Sequence, residues 1–236
     1  MKTEPSQNNS RRKFLKGAAI AISTTAIAPN LAFSAFSQPP NIDLDKYKPS
    51  YFSAAEWTFI LAATDRLIPA DEQGPGALET NVPVFIDMQM LGEFGHASDW
   101  YMQPPFLPAK PEMGYQSPLT PAQTYRQGIK ATEDYCQQTY KKSFSELSNS
   151  EKDTILSQLQ SEEIQFSELG SAQFFSFLLQ NTKEGYFADP IHGGNKNLAS
   201  WKMIGFPGAR ASYKEWVDFP DVEYPLGPVS IDGERG

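Results

Sequence analysis

The stretch SAQFFSFLLQNTKEGY, residues Ser171–Tyr186, places Phe174, Phe175, Phe177, Leu178 and Leu179 within six positions. Wound as a helix, these side chains cover much of the circumference rather than one stripe. A helix that is apolar on most sides must be surrounded by others, so this segment is read as the central helix. The segments around it are helical too. Ser53 opens Ser-Ala-Ala-Glu, a capping box with Glu56, and Trp57, Ile60, Leu61, Thr64, Leu67 and Ile68 follow at helical spacing until Pro69 stops the run. Asn81 is positioned to cap a second helix with Val84, Phe85, Met88 and Leu91 inward, ending near Gly92 or Gly95. Thr120-Pro121 starts a third, with Tyr125, Ile129, Thr132, Cys136 and Tyr140 on one face. Ser148 and Glu151 form another capping box ahead of Ile155, Leu156 and Leu159.

No window sustains the two-residue alternation of a strand. The expectation is an all-α, single compact domain of five to six helices, the last a short one near Asn197–Met203, with long Pro/Gly-rich loops. Between Asp99 and Pro121 there are six prolines and no periodicity. A loop that long in a compact domain is usually functional or bound to a partner. The tail, DFPDVEYPLGPVSIDGERG, has three prolines and is expected to be irregular.

The chain opens differently. Ser10, Arg11, Arg12, Lys13, Phe14, Leu15 and Lys16 precede a twelve-residue apolar run, Gly17–Ala28. A paired arginine followed by Phe-Leu-Lys and a short, mildly apolar run reads as a twin-arginine export signal over residues 1–37. The run falls short of the roughly 20 residues of a membrane span. That route carries proteins already folded, so its cargo usually holds a cofactor or escorts a partner. A periplasmic location is expected, with the twin-arginine translocase as a transient partner. Residues 38–50 read as an extended linker, and 51–236 as the helical domain.

Of 20 basic and 28 acidic residues, five Lys/Arg and one Glu lie in 1–37. The remaining 199 residues therefore carry 15 basic and 27 acidic side chains, a net charge of −12. Such a surface repels nucleic acid and anionic lipid. The single cysteine, Cys136, excludes an internal disulfide, a Cys-x-x-Cys-His haem site and a four-cysteine iron–sulfur cluster. On a helix face it reads as a small buried hydrophobe. His96 and His192 sit in no metal-ligand pattern, and His96 reads as a surface cap after a helix. The pairs Glu133-Asp134 and Glu162-Glu163 read as solvated charge. No catalytic residue and no metal ligand is nominated.

The densest cluster of unusual residues is DPIHGGNKNLASWKMIGFPGAR, residues 189–210. A phosphate-binding glycine loop follows a strand and leads into a helix; this one follows the strongest helix of the chain and has the wrong spacing. Instead, Gly193 and Gly194 permit positive φ, Asn195 tolerates the left-handed region, and Gly205-Phe206-Pro207-Gly208 makes a second tight turn. Trp201 and Phe206 would pin the loop to the helical body. A contrasting reading makes Trp201, His192 and Asp189 a sugar-binding surface.

Thr182-Lys183-Glu184-Gly185-Tyr186-Phe187, Asp189-Pro190, Gly193-Gly194-Asn195, Trp201, Gly205-Phe206-Pro207-Gly208 and Tyr224-Pro225 resemble the gluconate 2-dehydrogenase subunit 3 family. The stretch from Ala63 to Asp87 and the export signal fit it as well. Ser200 is a departure, since the family often has glycine before the tryptophan. The resemblance implies the small, gamma, subunit of a membrane-associated sugar or sugar-acid dehydrogenase, binding no cofactor itself. Its expected partners are a large glucose-methanol-choline-type flavoprotein holding FAD and a cytochrome c subunit holding haem c. The flavoprotein in such complexes commonly lacks an export signal and travels with the small subunit. On this reading Asp189, Pro190, His192, Gly193, Gly194, Asn195, Trp201, Gly205, Pro207 and Gly208 are structural or interface residues, and the loop 99–121 and the tail from Asp218 are candidate contacts. A stand-alone periplasmic helical protein is the remaining alternative.

Overall fold

The computed structural model describes residues 42–236 except 108, 109, 168 and 223; the export signal lies outside the described residues. Within them the chain is all-α. The helices are α1 (Ala54–Leu67), α2 (Val82–Leu91), α3 (Glu93–His96), α4 (Pro121–Tyr140), α5 (Asn149–Gln160), α6 (Ser171–Phe187) and α7 (Ala199–Ile204). That is seven α-helices rather than five or six. The addition is α3, a single turn that Gly92 separates from α2. The only β pairing among the described residues is two isolated bridges, Gly208 with Val229 and Val229 with Arg235.

Local chemistry accounts for the helix starts. Ser53 with Glu56, Thr120 with Gln123, and Ser148 with Glu151 each form a reciprocal capping box. Each satisfies backbone donors that an uncapped first turn leaves open. Asn81 does precede α2, but not as a side-chain cap. Its backbone is left-handed, and its side-chain nitrogen donates to the Ile42 carbonyl at 2.8 Å.

The central position of α6 is as expected: it packs against α1, α2, α4, α5 and α7. Phe174, Phe175, Phe177 and Leu178 are all buried. Phe59 and Tyr125 flank Phe174, with ring centroids at 6.2 and 5.8 Å, and Phe144 packs on Phe59 at 4.8 Å. Tyr125 carries a hydroxyl into this core and donates it to Asn181 Oδ1 at 2.9 Å, which removes the penalty of burying it dry. Met88 and Leu91, expected inward, are 41% and 49% exposed. On α2 the buried positions are Val82, Pro83, Val84, Phe85, Ile86, Asp87 and Met90. They are nearly contiguous, so the apolar pattern gives no single stripe to follow.

The described part of the stretch read as a linker, residues 42–50, is fastened to the body. Asp87, fully buried on α2, accepts from Tyr47 Oη and Ser50 N at 2.8 Å, Tyr51 N at 3.0 Å and Phe52 N at 3.1 Å. Tyr47 also lies on Trp57, ring centroids 5.3 Å apart. One carboxylate thus gathers four donors from the segment that leads into α1.

Candidate functional site

The loop after α6 is where the sequence concentrates its unusual residues, and the structure shows how each is held. Asp189 caps a short 3-10 turn, Pro190–His192, by accepting from Ile191 N at 3.2 Å. Its other oxygen accepts from Ile231 N, in the tail, at 2.7 Å. Asn195 is fully buried in a left-handed conformation. It donates through Nδ2 to the Ala188 carbonyl at 2.9 Å, and its Oδ1 accepts from Ser200 N at 3.0 Å and Ser200 Oγ at 2.6 Å. Ser200 is itself fully buried, with its hydroxyl also within reach of the Tyr186 carbonyl. The serine that departs from the family's glycine therefore has partners on both sides.

Close approach explains the paired glycines. Gly193 has φ +91°, and a Cβ there would also lie 2.7 Å from Met88 Sδ. Gly194 has no positive φ; its constraint is space, because a Cβ would lie 2.1 Å from the Gly185 carbonyl oxygen. The expectation that both supply left-handed geometry holds for Gly193 alone. Beyond Asn195, Asn197 and Leu198 are also left-handed, with φ of 59° and 56°. For a side chain such as leucine that costs roughly 1–2 kcal/mol, and the Asn195 bonds hold it in place.

Trp201 is buried on α7, and its Nε1 donates to the Phe187 carbonyl at 2.8 Å. Phe206 does not pin the loop to the body as expected. It is 44% exposed and meets Trp201 edge-on at 4.9 Å. Gly205 and Gly208 both have positive φ, and Gly208 lies so close to Val229 that a Cβ would meet its carbonyl oxygen at 2.2 Å. Pro207 accepts from Val229 N through its carbonyl, and Ala209 N donates to Val229 O. His192 is exposed. Trp201 and His192 therefore do not share an open surface, and Trp201 offers no free ring face for a sugar to stack on.

Cys136, Glu133 and His96 lie on other helices. Cys136 is buried in α4, and burial pushes its thiol up to about 12, so it is not a nucleophile at neutral pH. Glu133 is not fully solvated as expected. It is half-buried and accepts from Phe144 N at 3.0 Å, and burial holds its carboxyl above the usual range. It borders an open groove of about 680 Å³ between α1, α4 and Ser143–Ser145, where Glu56 and Arg126 are paired at 2.8 Å. His96 ends α3, with Nδ1 3.0 Å from the Gly92 carbonyl. Among the described residues no group of three or more His, Cys, Asp or Glu side chains is placed to hold a metal ion.

Comparison with known proteins decides what this architecture is. The family described as Gluconate 2-dehydrogenase subunit 3 matches residues 54–208. The chain belongs to the gluconate 2-dehydrogenase subunit 3 family. The match runs from the first residue of α1 to Gly208, so it takes in the seven described α-helices and the loop as far as Gly208. It ends before the tail that Asp189 and Gly208 fasten. Members of this family are subunits of a multi-subunit dehydrogenase, which makes partner subunits the natural context of this chain. No curated protein matches the chain, and no solved structure does.

Proposed function

We propose that this subunit 3 protein is the non-catalytic small subunit of a periplasmic, membrane-associated flavin-dependent dehydrogenase. It stabilises the flavoprotein subunit and escorts it through the twin-arginine pathway. The observation that carries this reading is the use made of the loop 189–210. Asp189, Asn195, Ser200 and Trp201 are bonded to the chain itself, which suits a scaffold and leaves no convergent polar groups for a substrate. One buried cysteine with a raised pKa offers neither a nucleophile nor a haem attachment. FAD and haem c then belong to the flavoprotein and cytochrome c partners.

The Arg11-Arg12 pair supplies the export half of the proposal. Replacing it by Lys-Lys is expected to leave both this chain and the dehydrogenase activity in the cytoplasm, measured by fractionation. Activity that still reaches the periplasm would refute the escort role.

A further inference from the structure

Nine of the exposed large apolar side chains among the described residues lie between Met203 and Ile231. Within 211–226 no described residue is buried, yet that segment carries Tyr213, Trp216, Val217, Phe219, Val222 and Leu226. Val217 is 74% exposed and Phe219 57%. These side chains do not collapse onto the helical core. The rings among them associate with one another and with Tyr224 instead: Trp216 lies 6.1 Å from Phe219 and 5.3 Å from Tyr224, and Tyr213 lies 6.0 Å from Tyr224. Arg210 lies over the Tyr224 ring at 4.8 Å and donates to the Gly227 carbonyl. The result is a continuous aromatic patch on a segment without a hydrophobic layer beneath it. A contiguous apolar surface rimmed by polar residues marks a macromolecular interface, and clustered Trp, Tyr and Phe dominate the energetics of such contacts.

Charge selects the occupant. Among the described residues of 211–226, the acids Glu215, Asp218 and Asp221 outnumber the one base, Lys214. Against a second copy of this chain, a self-complementary contact would set these acids against themselves. Against an anionic membrane the same acids, and the net −12 of residues 38–236, are repulsive. A protein surface with an apolar pocket and a Lys/Arg rim fits both features. The segment is also attached firmly to the family fold at its two ends, by Gly208 against Val229 and by Asp189 to Ile231. The fold thus presents a held surface rather than a free peptide, which lowers the ordering cost of binding.

We infer that the described residues of 211–226 are the surface on which the flavoprotein subunit docks, through an apolar patch ringed by basic side chains. This rests on the subunit reading above.

The test uses the tagged full-length chain expressed with its flavoprotein partner, reading co-purified flavin per subunit. The double variant Val217→Lys with Phe219→Lys is compared with Gln137→Ser with Gln138→Ser on exposed positions of α4. Both pairs are solvent-facing, so unchanged helical circular dichroism and melting confirm that either variant folds. The expected result is a tenfold or greater loss of flavin for the tail variant alone. Charge reversal at Glu215 and Asp218 is expected to give a weaker, salt-sensitive loss. Undiminished flavin in the tail variant would overturn the docking assignment and leave the subunit reading standing. A dimer of this chain that the tail variant dissociates, without flavin loss, would overturn it in favour of self-association. No flavoprotein on the unmodified chain would overturn the subunit reading and this inference together.

Discussion

Asp189 and Ile231 are joined by a single hydrogen bond, the Ile231 N–H donating to Asp189 Oδ2 at 2.7 Å across 42 residues of sequence. The same side chain starts the turn that leaves α6. One carboxylate therefore sets the course of the family loop and holds the far end of the tail. Asp189→Ala should leave the helical core intact and cost about 1–3 kcal/mol. The loss should be local: amide exchange should accelerate at Ile231 and Ser230 while α6 amides stay protected. Uniform acceleration across the helices would show that Asp189 supports the core instead.

Asp87 performs the corresponding task for the segment that leads into α1. Its four donors all come from Tyr47–Phe52. Asp87→Asn keeps the size but turns two donors of its own toward that cluster. Roughly 2–4 kcal/mol of stability should be lost, as for other buried charge-assisted hydrogen bonds, measured by urea unfolding. Proteolysis ahead of Ser53 should increase in parallel.

Two glycines in the loop separate space from conformation. Gly205 has φ +68° with nothing within 4 Å of where an alanine methyl would lie, whereas at Gly194 that methyl would sit 2.1 Å from Gly185 O. Gly205→Ala should cost about 1 kcal/mol, from the positive φ alone. Gly194→Ala should cost more than about 3 kcal/mol, since backbone must move. Equal melting temperatures for the two variants would contradict the packing described for α6 and the loop.

Glu133 gives a pH dependence with a definite sign. Burial raises its folded pKa above the ordinary Glu value, so across that interval the folded state binds more proton than the unfolded state. Its contribution to stability therefore falls as pH rises from the unfolded value through the folded one. Glu133→Gln retains an acceptor for Phe144 N and removes the titration. The difference in melting temperature between variant and parent should grow in the variant's favour as pH rises through that window. A difference that does not change with pH would discard the burial account.

Cys136 should resist thiol reagents at neutral pH in the folded chain and react on unfolding, because burial pushes its pKa up to about 12. Rapid labelling of the native protein would place it at the surface.

Much of the architecture is legible in the residues. Two capping boxes, the Thr120-Pro121 start and the apolar breadth of Ser171–Tyr186 announce the helix starts and the central helix, because these signals are local. Asp87 is not announced. Its role depends on donors 35 to 40 residues away, and a lone Asp inside an apolar run gives no indication of them. Met88 and Leu91 mislead for a related reason: on a helix whose buried positions are nearly contiguous, the pattern does not say which edge ends outside. In the loop, the glycines signal a tight turn correctly, but whether φ or space requires each depends on where Gly185 and Met88 lie. The tail reads as irregular sequence, and the family resemblance alone makes the stretch from Asp218 a candidate contact; the exposure of Tyr213 and Val217 extends that surface toward α7.

The proposal that this chain supports a flavoprotein and carries no redox centre of its own has one most direct measurement. It is the absorption spectrum of the tagged protein purified from periplasm and membranes, before and after its subunits are separated. The expected result is a flavin band in the intact material that follows a co-eluting large subunit, leaving this chain colourless. A colourless chain that elutes alone from both fractions would contradict the proposal.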